Sequence, residues 1–142
     1  MRLFLDVNVL FSAAHNPEGN ARALFKLAEP AGVTLVASRY AVDEAVRNVG
    51  LMFPACSLEL AALLELVVFA PEPAAALVGL ARDSGLPEKD APILAAAIAA
   101  AADILVTGDR RHFGALYGRS VRGVLIQPPA IALGTLLDRL ER

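Results

Sequence analysis

Short apolar runs alternate with helically spaced apolar positions along the whole chain. The runs are rich in aliphatic residues, which is typical of buried strands; they are Arg2–Leu5, Val33–Ala37, Val67–Ala70, Ile104–Thr107 and Val121–Gln127. The predicted helices are Asn8–Ala14, Asn20–Ala28, Tyr40–Gly50, Leu58–Leu66, Pro73–Ser84, Ala91–Ala102, Arg110–Tyr117 and Pro129–Leu140. Alternating strands and helices favour parallel pairing with helices on both faces. The pattern therefore predicts one α/β/α sandwich around a mainly parallel sheet over residues 1–142.

Composition narrows the class of protein. The chain has 142 residues, of which 56% are hydrophobic, and this fits a single soluble domain with a real core. A net charge of −2 excludes a polycationic nucleic-acid coat. The single cysteine, Cys56, excludes a disulfide framework and is interpreted as a small buried apolar residue. The apolar run Ala91–Ala102 is shorter than the roughly 20 residues that cross a membrane, so we expect a cytoplasmic protein without membrane association.

Polar residues directly follow three of the predicted strands. Asp6 ends the first strand, Ser38 ends the second, and Thr107-Gly108-Asp109 ends the strand that begins at Ile104. In open α/β sheets, ligands bind at the carboxyl ends of the strands. We therefore expect these side chains to share one edge of the sheet.

Four acids are candidates for chemistry, although each has a structural alternative. Asp6 and Asp109 could be turn residues and Asp90 a helix N-cap. Glu44 could be an exposed helical acid paired with Arg47 or Asn48. Together, however, they are expected at one end of the sheet, where carboxylates repel one another unless a divalent cation neutralises them. Mg²⁺ or Mn²⁺ held in this way activates water and stabilises a phosphodiester transition state.

The sequence resembles the PIN-domain ribonucleases, especially the toxin components of bacterial and archaeal toxin–antitoxin pairs. The matching stretches are FLDVNVLFSA, SRYAVDEAVRN, KDAPILAAAIAAAADILVTGDRRHF and VLIQPP, in family order over nearly the whole chain. The resemblance implies four catalytic and metal-binding acids, Asp6, Glu44, Asp90 and Asp109, with supporting polar residues at Asn8, Ser38 and Thr107. It also implies cleavage of RNA by water with Mg²⁺ or Mn²⁺, leaving a 5′-phosphate, and an antitoxin protein as partner.

Other side chains have weaker assignments. Arg110 and Arg111 could bind RNA phosphates or could simply lie at an exposed helix start. The histidines, His15 and His112, lack metal-ligand spacing and are interpreted as surface or packing residues. The apolar stretch Leu51–Ala55, in a predicted loop, indicates a homodimer interface near any antitoxin groove, or else a segment that closes the core.

Two rival functions stay open from the sequence. A catalytically weak PIN domain could act only as an RNA- or protein-binding module, although all four acids are present. A haloacid-dehalogenase-like phosphatase also begins with an apolar strand that ends in Asp. That chemistry needs a second Asp where this chain has Asn8, and a well-placed lysine, for which only Lys26 and Lys89 exist. An assay for metal-dependent RNA cleavage separates the enzyme from the binding module.

Overall fold

The computed structural model describes residues 1–142 and contains six strands and eight α-helices. The strands are β1 (Arg2–Leu5), β2 (Thr34–Ser38), β3 (Val67–Ala70), β4 (Ile104–Val106), β5 (Ser120–Val121) and β6 (Val124–Gln127). The helices are α1 (Val7–His15), α2 (Asn20–Ala28), α3 (Arg39–Met52), α4 (Ser57–Leu64), α5 (Ala75–Arg82), α6 (Ala91–Ala99), α7 (Arg110–Phe113) and α8 (Pro129–Leu140). None of them combines the length and apolarity that crossing a bilayer requires.

The strands form one sheet in the order β3-β2-β1-β4-β6-β5. All neighbouring pairs are parallel except β5 with β6, so the predicted mainly parallel α/β architecture is confirmed. β1 lies between β2 and β4, with Leu3 opposite Leu35 on one side and Ile104 on the other. The chain adds strands on one side of β1 and then crosses to the other side. This reversal creates a crevice at the carboxyl ends of β1 and β4.

The core explains why these apolar runs are strands. Leu3, Phe4 and Leu5 are fully buried, and they belong to one continuous hydrophobic cluster that reaches from β1 into the flanking helices. A strand covered on both faces has no solvent side on which to place polar residues, so it is apolar throughout. The polar residues Asp6, Ser38 and Thr107 follow the apolar runs and are also buried, so their polar groups need partners inside the protein.

The end of the sheet departs from the sequence prediction. A single strand over Val121–Gln127 is wrong, because the chain turns back between β5 and β6 as an antiparallel hairpin. Arg122 and Gly123 have φ of 51° and 85°, as in the two-residue turns that join such hairpins. The turn has only one glycine and lies within an apolar run, so the pattern alone did not reveal it.

The segment after Gly50 also differs from the prediction. Helix α3 continues through Leu51 and Met52, and Pro54–Cys56 forms a 3-10 turn, so the predicted loop over Leu51–Ala55 is wrong. Gly50 stays helical, and α3 ends at Met52 with Phe53 as its C-cap, because Phe53 precedes a proline and is disfavoured in a helix. Cys56 is half-buried against the edge of the core rather than enclosed in it.

Candidate active site

The carboxyl ends of β1 and β4 are joined by side-chain hydrogen bonds. The Thr107 hydroxyl donates to Asp6 Oδ2 over 2.8 Å, and the Asn8 amide donates to the same oxygen over 3.2 Å. Asn8 Oδ1 in turn accepts the backbone N–H of Gly108 over 2.7 Å. A Cβ at Gly108 would lie 3.2 Å from Asn8 Oδ1, so glycine permits this close approach. The two strand ends are therefore held in a fixed relation.

Asp6 is a buried carboxyl at the centre of this network. It is 3% exposed, and Oδ1 accepts the backbone N–H of Val7 over 2.7 Å, so it also acts as the N-cap of α1. Burial raises the pKa of Asp6, and the charge of Asp90 raises it further, whereas the hydrogen bonds from Thr107, Val7 and Asn8 lower it. The carboxylate is thus costly to ionise, and the donors around it offset part of that cost.

Asp90 and Asp109 converge on one histidine. His112 Nδ1 lies 2.8 Å from Asp109 Oδ2 and 3.0 Å from Asp90 Oδ2. In the tautomer with a hydrogen on Nδ1, the imidazole donates to Asp109 Oδ2, and Asp90 Oδ2 is buried with no hydrogen-bond partner. Burial raises the pKa of Asp90, the contact with His112 lowers it, and the charge of Asp109 raises it. Asp90 therefore has an acceptor oxygen that lacks a donor.

The alternative in which Asp90 is a plain helix cap is wrong. Asp90 occupies the N-cap position of α6, but its side chain makes no capping hydrogen bond. Asp109 differs, because its Oδ1 accepts the backbone N–H of His112 and caps α7. Asp103, at the opposite end of β4, accepts the backbone N–H of Arg2 and is structural.

Glu44 reaches the site from α3. Its carboxylate accepts a hydrogen bond from Arg47 over 2.7 Å, which is one of the two pairings that its structural alternative allows. Ser38 is buried and caps α3 through the backbone N–H of Ala41, so it fixes the start of the helix that carries Glu44. Tyr40 lies on the first turn of α3, four residues before Glu44, and also lines the pocket. Burial raises the pKa of Tyr40, and the charge of Glu44 raises it further.

These groups line one open pocket of about 270 Å³. All four predicted acids line it together with Asn8, and its other lining residues are Val7, Phe11, Tyr40, Asn48, Lys89 and Ile93. Thr107 and Ser38 do not line the pocket and act on it through Asp6 and α3. Arg110 lines a neighbouring cavity beyond Gly108, and Arg111 is exposed and lines neither.

The donor set fits a divalent cation. Carboxylate oxygens are the ligands that Mg²⁺ and Mn²⁺ prefer, and the buried, donor-free Asp90 Oδ2 is an oxygen that a cation would satisfy. The closest group consists of Asp90, Asp109 and His112, whose candidate ligand atoms all lie within 4.8 Å of one another. Asp6 and Glu44 line the same pocket but stand outside this close group.

Sequence reasoning missed two residues here. The sequence predicts a surface or packing role for His112, but in the structure it contacts both Asp90 and Asp109. Its position three residues after Asp109, on the short helix that Asp109 caps, is the signal that could have revealed it. Lys89 is a candidate from the sequence only for the catalytic lysine of a phosphatase, but in the structure it lines the pocket beside Asp90.

Comparison with known proteins identifies the class of domain. Residues 2–111 match the PIN domain family, whereas no curated protein matches the sequence. The fold is similar to that of a chain in the crystal structure of VapBC2 from Rickettsia felis, which is bound to a DNA fragment from the VapBC2 promoter. The TM-score is 0.69 at 20% identity, over 90% of this chain and 98% of that chain. PAE2754 from Pyrobaculum aerophilum is similar with a TM-score of 0.68 at 19% identity, over 97% of this chain and 90% of that chain.

Proposed function

The chain belongs to the PIN domain family, and from this premise we propose that it is a metal-dependent endoribonuclease. The observation that carries the proposal is the pocket at the ends of β1 and β4, where Asp6, Glu44, Asp90 and Asp109 gather. Carboxylates gathered in one pocket repel one another, and burial raises the pKa of Asp6 and of Asp90, which a structural role alone does not require. A cation site for phosphodiester hydrolysis accounts for both features.

The four acids divide into two kinds of ligand. Asp90 and Asp109 both line the open pocket and have candidate ligand atoms within 4.8 Å of one another, so we assign them direct contact with Mg²⁺ or Mn²⁺. Asp6 is fixed by three donors and supplies a rigid negative charge, while Glu44 stands at the border. When bound, the cation would activate water for attack and neutralise charge that develops on the phosphate.

Other side chains assist this chemistry. Asn8 bridges Asp6 and Gly108 and keeps the strand ends in register. Lys89 brings a positive charge to the pocket rim, and Arg110 brings another to the adjoining cavity. A polyanionic RNA strand is attracted by such charges even where the protein is acidic overall. Arg111 is assigned the same role from the exposed face of α7.

The partners belong to the same proposal. VapBC2 from Rickettsia felis, which shares the fold, was solved with promoter DNA, and this favours a toxin role with an antitoxin protein as partner for this chain. Leu51, Met52 and Leu58 are 77%, 64% and 85% exposed at the junction of α3 and α4. Such an apolar patch supports a homodimer there. RNA as substrate also agrees with a cytoplasmic location.

RNA cleavage with purified protein tests the proposal. We expect cleavage of single-stranded RNA with Mn²⁺ or Mg²⁺, none with EDTA, and products that carry a 5′-phosphate. Asp109→Asn should reduce the rate at least about a hundredfold, because a lost ligand misplaces the reacting groups. Asp103→Asn, at the opposite end of β4, is the matched control. Equal rates for Asp109→Asn and the wild type would contradict the proposal, and metal-independent RNA binding without cleavage would indicate the binding module.

A further inference from the structure

Three aromatic rings form a partly exposed cluster beside the acidic pocket. The Phe11 and His15 rings are 4.8 Å apart between centroids, those of His15 and Phe53 are 4.4 Å apart, and those of Phe11 and Phe53 are 5.6 Å apart. Phe53, where α3 ends, remains 40% exposed, and Phe11 and His15 are half-buried. These three residues are named here the ring cluster, which packs against the core through Phe11 and reaches solvent mainly through Phe53.

Helix α1 connects the ring cluster to the acids. Asp6 caps the helix, and Val7, Phe11 and His15 follow at four-residue spacing along one half-buried stripe. At 1.5 Å per residue, Phe11 lies about 7 Å and His15 about 13 Å along the axis from Asp6. Phe11 also lines the acidic pocket itself, so the two surfaces are continuous. Whatever occupies the ring cluster therefore lies next to the groups that would act on a phosphodiester.

Electrostatics alone would bind an RNA strand weakly here. The chain has 15 acidic and 13 basic residues, and the pocket gathers four of the acids. Arg47, one of the nearby cations, is already paired with Glu44. Stacking on aromatic rings is the other main source of affinity for single strands, and it does not depend on a basic surface.

We propose that Phe11, His15 and Phe53 form a stacking surface for a nucleobase of single-stranded RNA whose neighbouring phosphodiester lies at the acidic pocket. This inference rests on the proposed nuclease function and names the form of its substrate. Bases in a duplex are paired and stacked on one another, so their faces are not free for the rings. The ring cluster therefore selects unpaired RNA.

A cycle that pairs one protein change with one RNA change tests the inference. The protein is Asp109→Asn, so that the RNA stays intact, and the probe is a fluorescent single-stranded oligonucleotide with one abasic residue placed at successive positions. Phe53→Ala should weaken binding about tenfold, the expected size for one lost stacking contact. Phe53→Tyr, which keeps the ring, should restore the affinity. Phe69→Ala is the matched control, because Phe69 is an equally exposed ring, 41% exposed, on the edge strand β3.

The decisive result is non-additivity. In the parent Asp109→Asn protein, an abasic residue at one position of the RNA should weaken binding about tenfold. In the protein that also has Phe53→Ala, the same abasic residue should have little further effect, because both changes remove the same contact. Additive effects, or unchanged affinity in Phe53→Ala, would overturn the stacking surface while leaving the nuclease proposal intact. If Phe53→Ala alters only the oligomeric state, the ring cluster is a protein contact and the inference is wrong. Failure of every variant, the parent included, to bind RNA would overturn both proposals.

Discussion

The Thr107 hydroxyl donates to Asp6 Oδ2 over 2.8 Å and so joins residues that are 101 positions apart in the chain. The same hydroxyl oxygen accepts the backbone N–H of Asp109 over 3.1 Å. Thr107 is fully buried, and it connects the two acids at the ends of β1 and β4. A single hydroxyl group therefore sets the relation between two proposed metal ligands.

Replacement of Thr107 by valine tests this connection. Thr107→Val keeps the shape, but it removes one of the two donors to Asp6 Oδ2 and leaves the backbone N–H of Asp109 without its acceptor. We therefore expect a loss of about 1–2 kcal/mol in the free energy of unfolding. The hydrogen bond lowers the pKa of Asp6, so its loss should move the acidic limb of the activity profile to higher pH. Thr107→Ser should retain both properties. Denaturant unfolding and rates measured against pH check this, and an unshifted limb in Thr107→Val would contradict it.

The raised pKa of Asp90 predicts how stability depends on pH. Because the folded protein holds this proton more tightly than the unfolded chain, the contribution of Asp90 is present below its ordinary pKa of 3.8 and is lost as the pH rises through the folded value. In EDTA, Asp90→Asn should therefore unfold at the same temperature as the wild type near pH 4 and at an equal or higher temperature at pH 7. Thermal unfolding across this range measures the difference. Lower stability of Asp90→Asn at pH 7 would indicate a structural aspartate.

Added Mn²⁺ should reverse the pH dependence of stability that Asp90 gives to the metal-free protein. The ion neutralises ionised carboxylates, so it should raise the melting temperature of the wild type more at pH 7 than at pH 4. Asp90→Asn should show a smaller gain at pH 7. Equal gains in both proteins would remove Asp90 from the proposed ligand set.

His112 provides a separate test of the site. It donates to Asp109 and contacts Asp90, and groups that orient metal ligands typically contribute ten- to a hundredfold to metal affinity. We expect His112→Ala to weaken Mn²⁺ binding about tenfold, measured by calorimetry. Arg111→Ala, an exposed change in the same short helix, is the control. Tighter Mn²⁺ binding by His112→Ala would show instead that the histidine competes with the ion.

The proposed dimer depends on the exposed apolar patch at the junction of α3 and α4. Leu51→Asp should dissociate the dimer, because burial of a charge in an apolar contact is costly. Leu137→Asp, at a 44% exposed position on α8, should leave the dimer intact. Light scattering after size exclusion measures the mass. A monomeric wild type at high micromolar concentration would contradict the dimer.

The sequence was sufficient for the architecture because its signals are local. After Arg2, the run Leu3–Leu5 has no polar position, which predicts a strand buried on both faces, and Asp6 marks where the apolar run ends. The same logic located Ser38 and Thr107 at strand ends. It failed at the β5–β6 hairpin, because the left-handed backbone of Arg122 leaves no clear mark in the residue type.

The sequence could predict which edge of the sheet the acids share, but not the contacts between them. The alternation of strands and helices determined that Asp6 and Asp109 would lie at one edge of the sheet, since parallel strands place their carboxyl ends together. Only the tertiary structure decided that Thr107 connects them, that His112 contacts Asp90 and Asp109, and that Phe53 packs against Phe11. These contacts join segments far apart in the chain, and their partners are selected by how the helices pack on the sheet. A periodic pattern along the sequence specifies which face each residue occupies, but it does not specify which residue lies opposite.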